Sequence, residues 1–304
     1  MTVYNKTRQS LLDHSLSPQK RFGQNFLVHR RTAEAIVQAG GICRDDMIVE
    51  VGVGLGALTI PLARAAGHVF GIEIDSGIVR LHTEENDLPD NVTLIHQDVL
   101  KCDFNDLSSR CGGPLKIMAN LPYSISNPFL FKLIENHERM AWATIMLQKE
   151  VAERLTAQPG TKEYGVPTVM LQSCATIRTL MTLKPAEFHP RPKIDSVVVR
   201  IDFIRDGSHA PHYDPTIFRR IVRAAFSQRR KTLLNTLSSA DLFEVLSGID
   251  KAKGKCMTGE VIDASGIALG IRAENLVLED FIRLAVETSR KIASLLSNQA
   301  ESQV

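Results

Sequence analysis

The stretch MIVEVGVGLG, Met47–Gly56, decides how the rest of the chain is read. Its first half, MIVEV, is a short apolar, β-branched run of the kind that forms a buried strand. Its second half sets glycine at Gly52, Gly54 and Gly56. Glycines there let the backbone turn sharply, pass close under a ligand and expose N–H groups at the start of the next helix. A lone G-x-G-x-G run is weak, so its meaning rests on the downstream sequence.

Strand-like segments continue at His68–Ile72, Val92–His96, Leu115–Ala119 and Trp142–Leu147, with helix-like stretches such as Leu58–Ala66 and Asn127–Asn136 between them. That alternation is the signature of a parallel sheet covered by helices on both faces, an α/β fold. A helix from Gly165 to about Cys174 and strands at Thr176–Leu183 and Ser196–Ile204 complete this part, the two strands joined by the proline-rich EFHPRPKID. Upstream, Ala33, Ile36, Val37 and Gly40 have helical spacing. From Pro211 the strand signal fades and helical patterns take over, at Phe218–Ala225, Asp241–Leu246 and Leu278–Leu295.

The expected organisation is a flexible segment 1–17, an α/β domain 18–206, a smaller all-helical domain 207–297 and a flexible tail 298–304. At 304 residues, with 44% hydrophobic and 23% charged residues, the chain buries a full-sized core. The net charge of +2 conceals acids clustered at Asp75–Asp106 and bases clustered near the N-terminus and at Arg219–Lys231. Five scattered cysteines without a C-x-x-C pair read as reduced thiols. No signal peptide and no membrane-length apolar run is legible, so the expected location is the cytoplasm.

Ligands of open α/β sheets bind at the carboxyl ends of the strands. The first strand ends in Glu50 and the glycine run, the second in Glu73-Ile74-Asp75, the third in Gln97-Asp98 and the fourth in Asn120. A carboxylate about 20 residues beyond the glycines is placed to accept the hydroxyls of an adenosine ribose, which is the role expected of Glu73. Asp98 is placed to accept an adenine amine. These features indicate a nucleoside cofactor without naming it.

Discrimination comes from IMANLPYS, Ile117–Ser124, where a buried strand ends in an amide, a proline and an aromatic ring. The exocyclic nitrogen of adenine is planar and a poor nucleophile. Acceptors aimed at its hydrogens, the Asn120 side-chain carbonyl and the Leu121 main-chain carbonyl ahead of Pro122, hold it and favour a tetrahedral nitrogen, while Tyr123 stacks on the ring. The histidines show no metal-ligand spacing and receive no catalytic role; no metal is expected.

EVGVGLGALT, NLPYSISNP and the upstream KRFGQNFL together resemble the small-subunit ribosomal RNA adenine dimethyltransferase family, known as the KsgA/Dim1 family. The match continues through FHPRPKIDSVVVRI and AFSQRRKTL, from Lys20 to about Arg283. The resemblance implies a Rossmann-like, class I S-adenosylmethionine-dependent methyltransferase sheet with a smaller helical C-terminal domain. It implies dimethylation of N6 on two adjacent adenosines in a hairpin near the 3′ end of small-subunit rRNA. It also implies cofactor contacts from Asn25, Leu27, Gly52, Gly54, Glu73, Ile74, Asp98, Val99 and Asn120. Phe188 resembles the family's second aromatic, closing the other face of the adenine. Val53 departs from the proline many members carry between the first two glycines.

Arg219, Arg220, Arg223, Arg229, Arg230 and Lys231 contain no intervening acid, and at helical spacing Arg219, Arg223 and Arg230 share a face suited to phosphates of rRNA. Lys20-Arg21 and Arg30-Arg31 form a second basic arm. The expected partner is rRNA in an assembling small subunit, met by a monomer. Two rival readings stay open: methylation of large-subunit rRNA as in the antibiotic-resistance branch of the fold, and a noncatalytic assembly or nucleic-acid-binding factor.

Overall fold

The computed structural model describes residues 24–204, 213–240, 242–243 and 250–301. Expectations for residues 1–17, Lys20-Arg21 and most of Asp241–Leu246 lie outside the described residues. The chain divides into two units, one holding Met1–Glu153 and Cys174–Arg205, the other Arg154–Ser173 and Asp206–Val304.

The first unit carries β1 (Phe26–Leu27), α1 (Arg30–Ala39), β2 (Met47–Val51), α2 (Thr59–Ala65), β3 (His68–Glu73), α3 (Ser76–Glu85), β4 (Val92–His96) and α4 (Phe104–Arg110). It continues through β5 (Leu115–Asn120), α5 (Ser126–Glu135), β6 (Met140–Gln148) and the start of α6 (Lys149–Leu155). After α7 (Val166–Gln172), which belongs to the other unit, come β7 (Ala175–Leu183), β8 (Phe188–His189) and β9 (Ser196–Phe203). Seven strands form one sheet in the order β4-β3-β2-β5-β6-β9-β7. Strands β2 to β6 run parallel, and β9 lies antiparallel between β6 and β7. This is a Rossmann-like α/β sheet.

Burial explains why these runs became strands. Ile48 and Val49 on β2 and Val69 and Ile72 on β3 are each at most 1% exposed, as parallel strands covered on both faces must be. The chain moves outward from β2 to β3 and β4, then crosses back to β5 on the other flank of β2. That reversal opens a crevice at the carboxyl ends of β2 and β5, where Val51 and Ala119 are paired in register.

A second, two-stranded ladder pairs Phe26 with His189 and Leu27 with Phe188. Two-residue strands carry no periodicity, and the sequence reading placed no strand at either. The Val28 N–H extends the pairing by donating to the Glu187 carbonyl at 3.0 Å.

The other unit is helical, with α7, α8 (Pro215–Ala225), α9 (Leu233–Ser239), α10 (Lys251–Ala264) and α11 (Leu278–Glu301). The Asp214 carboxylate caps α8 by accepting from the Thr216 and Ile217 N–H groups, with Pro215 in the first turn where no N–H is needed. Ile217, Phe218, Ile221, Val222, Ala224 and Ala225 are buried, the inward face that the apolar spacing predicts. The Phe226 ring lies 5.9 Å from Tyr164 and 5.8 Å from Phe281, which ties residues 154–173 into this unit. The sequence reading kept those residues with the sheet, because a short helix between two strands reads as part of the α/β alternation. Helix α11 also runs to Glu301, beyond the expected tail boundary. Among the described residues, no helix is long and apolar enough to cross a membrane.

Candidate active site

A cavity of about 260 Å³ opens at the carboxyl ends of β2, β3, β4 and β5. Its walls include Asn25, Leu27, Gly52, Gly54, Glu73, Ile74, Asp98, Val99 and Asn120, together with Pro122. Residues spread over 95 positions of sequence therefore meet in one enclosure, because each stands at or just beyond the end of a strand or on the β1 segment.

The glycine turn is where this geometry is least tolerant. Gly52 and Gly54 have φ of 82° and 54°, the left-handed region that side chains disfavour. A Cβ on Gly52 would stand 3.3 Å from the Asn120 carbonyl oxygen, and one on Gly54 3.2 Å from the Phe26 ring. Bare backbone on both sides of the crevice is what leaves room for a ligand. Val53, the departure from the family pattern, is buried, and a Cβ on Gly71 would come within 2.6 Å of its Cγ2. The branched side chain thus seats against a strand position that carries none.

Glu73 is held by three backbone donors. Its Oε1 accepts from the Ile74 and Asp75 N–H groups at 2.9 Å each, and its Oε2 from the Gly54 N–H at 3.0 Å. Burial pushes its carboxyl pKa up, against the pull of these three donors. A carboxylate offers about four lone-pair sites, so roughly one remains for a ligand hydroxyl. The expectation that Glu73 receives two hydroxyls therefore narrows to one direct bond, with a second shared. Asp98 keeps more capacity: its Oδ1 accepts the Leu100 N–H at 2.9 Å, capping a short turn of 3-10 helix.

Glu50 differs from the other strand-end acids. It is fully buried, neither carboxylate oxygen has a hydrogen-bond partner, and it does not line the cavity. Burial pushes its pKa up to about 8, the nearby Thr59 hydroxyl lowers it, and the charge on Glu73 raises it again. Thr59 Oγ1 stands close enough to act electrostatically but outside hydrogen-bond geometry. At neutral pH Glu50 is an uncharged acid inside the sheet rather than a ligand-facing carboxylate.

At the end of β5, the Asn120 Nδ2 donates to the Asn25 carbonyl at 3.1 Å. A carbonyl can face only the nitrogen end of an amide, so this bond leaves Oδ1 as the acceptor. Leu121 is buried, and Pro122 lines the cavity. The half-buried Tyr123 bonds the buried Ser196 hydroxyl at 2.8 Å through its own, and burial pushes its phenol pKa up. Phe188 is placed differently from the expectation. Its ring is 1% exposed and packs in the core cluster that includes Leu27, Met118, Trp142, Met146 and Val198, so in this arrangement it presents no open face to a base. Its register opposite Leu27 nevertheless sets it beside the Gln24–Leu27 segment that lines the cavity.

Two residues escaped the sequence reading. Gln24 lines the cavity and donates from Nε2 to Asp75 Oδ2 at 3.1 Å; its place in GQNFL was the available signal. Lys132 on α5 donates from Nζ to the Leu100 and Cys102 carbonyls at 3.0 and 2.7 Å, bracing the segment after Asp98. A lysine on a helix carries no sequence mark of such a role.

The basic segment does not form one helical face. Helix α8 ends at Ala225, so Arg219, Arg220 and Arg223 lie on it, while Arg229, Arg230 and Lys231 come after it in turns. Arg220, Arg223, Arg229, Arg230 and Lys231 are exposed, and Arg229 reaches Glu274 at 3.5 Å. Among the described residues, no group of acids, histidines and cysteines has the arrangement of a metal site.

Residues 16–252 match the family model described as ribosomal RNA adenine dimethylase. A protein of Desulfotalea psychrophila named ribosomal RNA small subunit methyltransferase A is 60% identical over 284 residues, 93% of this chain and 96% of that one. Its namesake in Magnetococcus marinus is 41% identical over 94% of this chain and 97% of its own. Among solved structures, a dimethyladenosine transferase from Plasmodium falciparum matches with a TM-score of 0.72 at 26% identity, covering 88% of this chain and 98% of that one. The 23S rRNA methyltransferase ErmE shares the fold, with a TM-score of 0.59 at 21% identity over 87% of this chain and 99% of its own. The chain belongs to the ribosomal RNA adenine dimethylase family.

Proposed function

We propose that this protein is an S-adenosylmethionine-dependent enzyme that dimethylates N6 of adenosines in small-subunit rRNA. The target is two adjacent adenosines in a hairpin near the 3′ end, methylated in the cytoplasm during subunit assembly. The observation that carries the reading is the orientation of Asn120: its amide is fixed by Asn25, with an acceptor oxygen left over, on the wall of a cavity shared with Glu73 and Asp98.

The residues present fit the cofactor. The space over Gly52 is one that a Cβ would fill, and Glu73 and Asp98 are acceptors suited to a ribose hydroxyl and an adenine amine. Asn25, Leu27, Gly54, Ile74 and Val99 complete the enclosure. When bound, S-adenosylmethionine supplies a methyl group made electrophilic by its sulfonium sulfur.

The chain's own part is to position the attacking nitrogen. Asn120 Oδ1 and the Leu121 carbonyl accept the two hydrogens of the target amine, and these bonds strengthen as the nitrogen becomes positive. Pro122 gives the loop a fixed turn and places no N–H there. Because the proton leaves after the new bond has formed, an amide suffices where a stronger base might be looked for. Glu50, the nearby acid with a raised pKa, sits outside the cavity and takes no part in the transfer. Positioning and exclusion of water supply much of the acceleration.

Adenine N6 in a duplex is inaccessible, so the target is taken from a loop or flipped out. Tyr123, its ring steadied through Ser196, stacks on the base, returning about 1–3 kcal/mol. For Phe188 to close the other face, its ring must first leave the core cluster it now occupies. Arg219, Arg220, Arg223, Arg229, Arg230 and Lys231 hold rRNA phosphates. In this reading the working form is a monomer.

The test is incubation of unmethylated small subunits with the protein and methyl-labelled S-adenosylmethionine, and then nucleoside analysis. The reading predicts labelled N6,N6-dimethyladenosine. Label in a different nucleoside, or none, would overturn it.

A further inference from the structure

One residue in the glycine turn, Gly54, is held through both of its flanking peptides, and the second tether is a histidine to which sequence spacing assigned no role. The Gly54 N–H donates to Glu73 Oε2 at 3.0 Å, while the Gly54 carbonyl accepts from His82 Nε2 at 2.8 Å. His82 stands on α3 and is 4% exposed. Its other ring nitrogen, Nδ1, lies 2.7 Å from Asp87 Oδ1. A carbonyl only accepts, so Nε2 is the nitrogen that carries hydrogen in the clamp. The ring also fills space beneath the turn, its Cε1 lying 3.7 Å from where a Cβ on Gly56 would stand.

We propose that His82 is a positioning residue for the cofactor, clamping the Gly54 carbonyl while Asp87 orients its ring. A run of three glycines in five residues has more backbone freedom to lose on ligand binding than the same run with side chains at those positions. Anchoring its middle residue shifts that loss into folding and leaves the turn ready for the ligand. The clamp also acts on Glu73, since the N–H of the same residue is one of the three donors that orient that carboxylate. A merely structural histidine would support the stability of α3 without touching ligand affinity. The proposal rests on the reading of the cavity as the S-adenosylmethionine site.

The experiment measures binding of S-adenosylhomocysteine, which lacks the transferable methyl, to the full chain by calorimetry. Absence of binding to the wild type would remove the cofactor reading itself and leave the clamp without an object. Given wild-type binding, His82→Leu is expected to weaken it about tenfold, and His82→Gln, which retains a donor for the Gly54 carbonyl, to stay within about threefold. Asp87→Asn, at a half-exposed side chain, falls between them. In turnover, His82→Leu raises KM for S-adenosylmethionine and leaves kcat at saturation nearly unchanged. Should His82→Leu fail to fold, the wild type labelled with ¹⁵N-histidine decides: the His82 ring resonances must shift on adding S-adenosylhomocysteine. Binding by His82→Leu equal to wild type, or ring resonances unmoved by the ligand, would overturn the proposal.

Discussion

Around the cavity, Glu73 has three donors at 2.9–3.0 Å and Asn120 is aligned by one bond of 3.1 Å, all fixed by the ends of parallel strands. Along Arg219–Lys231 the charged groups stand largely exposed on a helix and the turns after it. Oriented short-range bonds in an enclosed site are sensitive to tenths of an ångström and little affected by salt. Exposed charges tolerate displacement and are screened over roughly 8–10 Å. One region is suited to holding a reacting atom, the other to holding a polyanion whose path varies.

The comparison breaks most sharply at Asn120. Replacing it with alanine is expected to lower methyl transfer about 10²–10³-fold, the usual cost of losing one transition-state hydrogen-bonding group, with S-adenosylhomocysteine affinity changed far less. Single-turnover rates beside calorimetry check this, and near wild-type transfer would remove the assigned role.

Glu50 sharpens the enclosed side of the comparison through pH. Unfolded, it titrates near 4.5; folded, at about 8. Below pH 4.5 it is protonated in both states and costs nothing. As pH climbs toward 8 the unfolded chain releases a proton that the folded chain keeps, so stability falls across that window. Glu50→Gln should abolish this loss, a relative gain on the order of a few kcal/mol at pH 8 that vanishes at pH 4.5, measured by urea unfolding at both pH values. An unchanged pH dependence would contradict the burial argument.

Gly52→Ala probes the same wall with a smaller change. The new Cβ would meet the Asn120 carbonyl oxygen at 3.3 Å on a backbone at φ 82°, a strain of about 1–3 kcal/mol. Ligand affinity should fall roughly tenfold or more, whereas binding of rRNA at fixed salt stays close to wild type. The smallest effect belongs to the open region: Arg230→Glu should weaken rRNA binding modestly and reduce the slope of log affinity against log salt by about 1. An unchanged slope would mark Arg230 as a solvated charge.

Where the fold is built from local pattern, the sequence was readable. The runs at Met47–Val51 and Val92–His96 became strands β2 and β4 with those bounds, β2 because it is a short apolar run buried inside the sheet and β4, a half-buried edge strand, through its β-branched residues. Asn25, Leu27, Gly52, Glu73, Asp98 and Asn120 line one cavity, since strand ends can be located from strand runs, whereas Leu121, Tyr123 and Phe188, expected at the target base, are not among its lining residues. What stayed hidden depends on tertiary approach. The two-residue ladder of Leu27 with Phe188 is too short to show a period, and its consequence, a buried Phe188, was hidden with it. The side-chain neutrality of Glu50 comes from desolvation, which composition does not reveal. The basic run was read as one helix because nothing in its spacing signals that α8 stops at Ala225.

The central claim is that the strand-end cavity methylates adenosine of small-subunit rather than large-subunit rRNA, and a competition assay addresses it most directly. Equal amounts of unmethylated small and large subunits are incubated with the protein and labelled S-adenosylmethionine, and the label is mapped to nucleotide positions. The account predicts two adjacent dimethylated adenosines near the 3′ end of small-subunit rRNA and none in the large subunit. Label in large-subunit rRNA, or spread over unrelated small-subunit positions, would contradict it.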